Sequence, residues 1–304
     1  MHPTPKGWPR ISAAVYYPDA AQAIDWLCTA FGFELRLKVE GEGGRIEHSE
    51  LVLAGGLIGI DSRCEPPHQP PAAIGGGNTQ NMFVYVGDID AHCARARAAG
   101  ARIVSEPTLS DYGDGYWADQ GYECVDPGGH HWWFAQRLRD GASYAPKLDS
   151  AQLGANPPPK GWPRISSSLY YDDADRAIDW LCGAFGFEIQ LKVAGEGGLI
   201  EHSELVLGGG LVMAGDAGRD PAKWPHRRSP ASVGGANTQN LMVYVDDVEA
   251  HCERARAAGA TITVEPETHD YGEDYWSDRS YECRDLGGHH WWFTERLRDP
   301  RQKA

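Results

Sequence analysis

Six residues that could do chemistry, of three types, each recur once along this chain of 304 residues. His48 and Glu50 stand two apart and return as His202 and Glu204. Glu123, His131 and Trp133 return as Glu282, His290 and Trp292, and Trp117 returns as Trp276. Residues i and i+2 of a strand share a face, so each His-x-Glu pair can chelate a cation or act as base and orienter. The indoles can stack on an aromatic or cationic ligand, and the carboxylates can attract one. Three readings stay open: a hydrogen-bonded polar network on a half-exposed sheet, a small-molecule pocket, and a metal or acid–base site. His48, Glu50, His202 and Glu204 are the first ligands to consider for a metal. His-x-Glu alone does not distinguish these readings.

The faces follow from alternation. In Ile46 to Leu53, Ser49, Leu51 and Leu53 are expected to pack on a helix, which leaves His48, Glu50 and Val52 on the concave face. Tyr122, Cys124, Trp132 and Phe134 read as core, so Glu123, His131 and Trp133 take that face too. His48, Glu50, Glu123, His131 and Trp133 are thus expected around one cavity. His202, Glu204, Glu282, His290 and Trp292 are expected around a second. The segments 111–119 and 270–278 alternate aromatic and acidic residues around glycines. Each is either a packed loop or a lid over its cavity, carrying Trp117 or Trp276. His92 and His251, beside arginines in polar helices, read as surface residues.

These residues are positioned by a repeat. The octet PKGWPRIS occurs at Pro5 and again at Pro159. The offset is 154 residues at first and 159 later, so a five-residue insertion falls between Leu211 and Asn237. A period of this size is a domain length, too long for a solenoid unit. Each copy reads strand, helix and three strands, twice over. The first copy has strands over 10–17, 33–39, 46–53 and 57–61, with a helix opened by Asp19 and stopped by Gly32. Its second module has strands over 82–86, 102–105, 116–125 and 130–136, with a helix capped by Asp88 and ended by Gly100. The copies are expected at 7–139 and 159–298, joined by a linker over 140–158. Residues 299–304 read as a frayed tail.

Composition narrows the function. A net charge of −15 offers no basic stripe for nucleic acid. Mean hydropathy is −0.48, and no apolar run approaches the roughly 20 residues of a membrane span. The first ten residues lack an apolar signal core. Six of the seven cysteines are repeat equivalents without close spacing, which points to buried reduced thiols and a cytoplasmic location. No nucleophile elbow, phosphate loop or dinucleotide fingerprint occurs.

The module pattern, with Ala23-Ile24-Asp25-Trp26, Ala30-Phe31-Gly32-Phe33, His48-Ser49-Glu50-Leu51, Val84-Tyr85-Val86-Gly87-Asp88 and Asp126-Pro127-Gly128-Gly129-His130, resembles the vicinal oxygen chelate superfamily. That group includes glyoxalase I, extradiol dioxygenases and bleomycin-resistance proteins, and the words look most like its PhnB-like subgroup. The resemblance implies an α+β fold of two tandem glyoxalase-like domains. Each would be built from two βαβββ modules whose curved mixed sheets surround a cavity. It also implies an intrachain pseudo-dimer about a pseudo-twofold axis, sufficient as a monomer.

In metal-dependent members, ligands stand on the first, fourth, fifth and eighth strands. Carried over, these positions hold Ser12 and Ser166, the apolar stretches 57–60 and 211–214, Asn81 and Asn240, and Trp133 and Trp292. None is a good ligand for a divalent metal. The expectation is therefore no cofactor and capture of a small cationic or aromatic molecule. A metal-dependent lyase, isomerase or dioxygenase with a non-standard site is the alternative.

Overall fold

The computed structural model describes residues 1–144 and 158–299. Most of the expected linker, and the tail beyond residue 299, lie outside the described residues. The first module contains β1 (Ile11–Tyr16), α1 (Ala20–Phe31), β2 (Glu34–Glu40), β3 (Ile46–Leu53) and β4 (Gly56–Asp61). The second contains β5 (Gln80–Tyr85), α2 (Ile89–Ala98), β6 (Arg102–Asp111), β7 (Ala118–Val125) and β8 (His131–Arg139). The third contains β9 (Ile165–Tyr171), α3 (Ala174–Phe185), β10 (Glu188–Ala194), β11 (Ile200–Leu207) and β12 (Gly210–Asp216). The fourth contains β13 (Gln239–Tyr244), α4 (Val248–Ala257), β14 (Thr261–Asp270), β15 (Ser277–Arg284) and β16 (His290–Arg298).

Local chemistry sets these boundaries. The Asp19 carboxylate caps α1 by accepting from the Gln22 amide, and Gly32 ends the helix at φ +80°. The same cap and stop recur at Asp173 and Gly186 of α3. The strand after α2 is longer than its apolar pattern suggests, because β6 pairs with β7 out to Asp111.

The strands form two eight-stranded mixed sheets, and each draws on both halves of the chain. One runs β14-β15-β16-β13-β1-β4-β3-β2, the other β10-β11-β12-β9-β5-β8-β7-β6. Exchanging the two halves converts one order into the other, as a pseudo-twofold axis requires. Antiparallel pairing of β1 with β13, and of β5 with β9, joins the halves. Near the axis, residues meet their own repeat equivalents. The Thr79 and Thr238 hydroxyls lie 3.2 Å apart, and the Gln80 amide donates to the Gln239 carbonyl at 3.0 Å. The expectation that each half encloses its own cavity is therefore corrected. Each concave face combines one module from each half, because the sheet continues across the β1–β13 and β5–β9 pairs.

Helices pack on the convex faces over a shared aromatic core. Phe31, Trp132 and Phe134, and their counterparts Phe185, Trp291 and Phe293, are fully buried. Two smaller apolar clusters fill part of the concave faces. Trp8 packs with Leu57 and Tyr244, and Trp162 packs with Tyr85, Val206 and Leu211. The repeated PKGWP segment thus supplies each plug. His92 and His251 are not surface residues. Both are buried, with Nδ1 2.7 Å from the Tyr122 or Tyr281 hydroxyl and Nε2 3.2 Å from the Phe31 or Phe185 carbonyl. Each ring also packs on a phenylalanine, His92 on Phe134 at 4.2 Å and His251 on Phe293 at 4.1 Å, so a polar residue type occupies a core position of its helix. All seven cysteines carry free thiols, with Cys28, Cys64 and Cys182 only partly buried.

Candidate functional site

The concave residues sort into two contact groups on each sheet. Both join residues from the two halves. On the sheet containing β1, Glu50 is buried while His48 is partly exposed. Arg36 Nε donates to Glu50 Oε2 at 2.5 Å, and His48 Nε2 lies 3.4 Å from Oε1. The Arg36 guanidinium also lies over Trp8, which in turn touches Tyr244 of the other half. Burial opposes ionisation of Glu50. The hydrogen bonds from His48 and Arg36, with the charge of Arg36, outweigh it and hold the carboxyl below its ordinary range.

The second group on that sheet is Glu282, His290 and His68. His290 Nε2 lies 3.0 Å from Glu282 Oε2, and its Nδ1 lies 3.1 Å from His68 Nε2. His68 stacks on Tyr16, with ring centroids 4.5 Å apart. Burial, then repulsion from His290 and Arg63, push His68 down to about 4. Burial opposes ionisation of Glu282, but the hydrogen bond and charge of His290 hold it below the usual carboxylate range. These three residues line a cavity of about 580 Å³, bounded also by Pro66, Gln69 and Arg284.

On the other sheet, His202 and Glu204 occupy a different setting. Glu204 is fully buried; Tyr144 Oη donates to its Oε2 at 2.5 Å and Gln190 Nε2 donates at 2.7 Å. His202 Nε2 lies 2.9 Å from Glu204 Oε1, and Trp117 stands 5.8 Å from the His202 ring. Trp117 is buried and lies against Arg137 and Tyr144. It therefore packs beside a histidine of the opposite half. Trp276 is only partly buried and lies against Arg296.

The remaining group joins Glu123, His131 and His226. His131 Nδ1 is 2.6 Å from Glu123 Oε1, and the His131 and His226 rings stack 3.5 Å apart at 13°. Burial, then the charges of His131 and Arg227, push His226 down to about 3. The sequence reading missed His226, because it lies in the inserted loop and its repeat equivalent is Pro67. It missed His68 because its repeat equivalent is Arg227, not a histidine. No repeat signal marks either residue; their proximity to a strand start depends on the chain path.

Trp133 and Trp292 lie opposite Glu123 and Glu282 in register. Phe83 separates Trp133 from Ser166 in register, and Met242 separates Trp292 from Ser12. Asn81 and Asn240 stand two residues before Phe83 and Met242 on β5 and β13. Asn81 Oδ1, Asn240 Oδ1, Ser166 Oγ and Trp292 Nε1 are buried without a hydrogen-bond partner among the described residues. The sequence resemblance implies a divalent metal at these positions. The residues do not fit one: amide oxygen, hydroxyl and indole N–H offer no anionic or imidazole donor, and an indole N–H cannot ligate.

The profile of the Glyoxalase/Bleomycin resistance protein/Dioxygenase superfamily matches residues 11–134 and 164–293. The chain belongs to this superfamily. It carries two tandem copies of the superfamily fold. Glyoxalase I from Zea mays superposes over 95% of this chain and 92% of its own, with a TM-score of 0.60 and 13% identity. A Bacillus subtilis protein superposes over 96% and 86%, with a TM-score of 0.55 and 15% identity. At these identities the likeness is one of fold alone. An uncharacterized protein of Mycobacterium bovis is 33% identical over 136 residues, 43% of this chain and 86% of that protein. An uncharacterized Mycobacterium tuberculosis protein is also 33% identical over 136 residues, covering 76% of its length. Among the described residues, no helix of this superfamily member is long and apolar enough to cross a membrane.

Proposed function

We propose that this superfamily member captures a small cationic or aromatic molecule on its concave faces. The observation that carries this reading is a set of unpartnered polar atoms on each sheet, Asn81 and Ser166 on one and Asn240 and Trp292 on the other. A buried donor or acceptor without a partner costs about 1–3 kcal/mol, and a ligand that pairs with it recovers that cost. The indoles of Trp133 and Trp292, on the strands next to β5 and β13, offer stacking surface on the same sheets. Glu282 supplies negative charge in the lining of the cavity of about 580 Å³. Glu50 is less suited to attract a cation, since Arg36 already neutralises it.

The test is a titration of intrinsic tryptophan fluorescence with phenyltrimethylammonium, other aromatic cations and bleomycin as probes. Saturable quenching is expected. Trp292→Ala and Trp133→Ala should each weaken binding at their own face by about 2- to 30-fold, given roughly 0.5–2 kcal/mol for a desolvated indole–cation contact. Affinity unchanged in both variants, with native circular dichroism, would place the pocket elsewhere.

A further inference from the structure

We propose that Glu123, His131 and His226 form a binding site for one divalent transition metal of the zinc class, present once per chain. One potential ligand atom from each of the three residues lies within 4.8 Å of the other two. All three side chains are more than nine-tenths buried. His226 Nε2 has no hydrogen-bond partner among the described residues, and it stands 3.6 Å from Glu123 Oε1. A buried, unpartnered imidazole nitrogen facing a carboxylate and a second imidazole is a donor set suited to zinc, cobalt or nickel. The site is separate from the four strand positions at which the superfamily resemblance implies a metal.

Two features oppose binding and define what it must overcome. The stacked ring planes lie within 13° of parallel and 3.5 Å apart, so a ring must turn about its Cβ–Cγ bond for one nitrogen of each to meet one ion in both ring planes. Arg102, Arg227 and Arg228 also act on His226 with like charge, which leaves the Glu123 carboxylate as the offsetting anion. Three protein ligands leave a coordination position open on the concave face, where a bound molecule could complete the shell.

Among the described residues, the other sheet lacks the set. Glu282 and His290 repeat Glu123 and His131, but Pro67 stands where His226 does. The extra imidazole there, His68, is bonded to His290 itself. One site per chain is therefore expected, not two.

The experiment titrates the chelator-treated full chain with cobalt(II) and follows the visible ligand-field absorption. Zinc then displaces cobalt in competition with a chromophoric chelator. The expected result is one cobalt per chain, with zinc raising the thermal unfolding temperature. His226→Ala, on a loop, and Glu123→Gln should lower affinity by at least about 100-fold, the upper loss seen for removing even an outer-shell partner. His290→Ala should leave cobalt uptake unchanged. Absence of saturable cobalt, two cobalts per chain, or uptake indifferent to His226→Ala with the fold intact would each overturn the site. None of these readouts depends on capture of an organic ligand, so the two proposals fail separately.

Discussion

Glu123–His131 and Glu282–His290 occupy the same strand positions on the two sheets, yet their surroundings differ in kind. At the first, His226 stacks on His131 and leaves its Nε2 unpaired. At the second, His68 closes a chain of hydrogen bonds through His290 to Glu282 beside an open cavity. The strands are near copies, and the loops that meet them are not. The other pair of groups teaches the same lesson. Glu50 is balanced by the cation of Arg36, whereas Glu204 is held by the neutral donors Tyr144 and Gln190. Duplication kept the scaffold and its carboxylates, while residues arriving from loops and edge strands set the local electrostatics of each copy.

The largest effect should come from removing the cation at one copy only. Arg36→Ala leaves a buried carboxylate without its charge partner and should cost about 2–4 kcal/mol, below the full penalty of a buried pair because Arg36 is partly exposed. Gln190→Ala removes one neutral donor and should cost about 1 kcal/mol. Denaturant unfolding of the two variants measures the difference. Equal losses would show that the two carboxylates are held alike after all.

A smaller effect concerns acid. Glu50 and Glu282 lie on the same sheet and both titrate below the ordinary value of 4.5. A carboxyl whose folded value is depressed contributes stability that is fully present above its unfolded value and is lost as pH falls through the folded value. Acid lability should therefore begin in the sheet containing β3, β15 and β16. Hydrogen exchange between neutral pH and about pH 3 should show these strands opening first. Glu50→Gln and Glu282→Gln should flatten the acid limb of stability, and a limb unchanged in both would remove these groups as its cause.

The smallest effect sharpens the comparison at a turn. Between β3 and β4, Ala54 sits at φ +44°, where the second half has Gly208 at φ +55°. A side chain in this region costs roughly 1–2 kcal/mol, partly offset in glycine by chain entropy. Ala54→Gly should raise stability by up to about 1 kcal/mol. Gly208→Ala should lower it by more, since the added Cβ would meet Arg10 Nε at 2.9 Å. Calorimetric unfolding of the pair tests the sign.

The sequence by itself determined the repeat, the four modules and the faces of the strands. These are properties of local periodicity: Trp132 and Phe134 alternate with His131 and Trp133, and aspartates and glycines mark the helix ends. The resemblance carried by its motifs also implies that Ser12, Asn81 and Trp133 stand where metal-dependent members have ligands. Only the tertiary structure decided which residues share a cavity. The antiparallel join of β1 to β13 places Glu50 on one sheet with Glu282 and His290 rather than with Glu123 and His131. Periodicity carries no information about which copy supplies a neighbouring strand, because both copies offer the same edge. Nor could it place His68 and His226, whose positions depend on how two unlike loops cross the start of a strand far away in the chain.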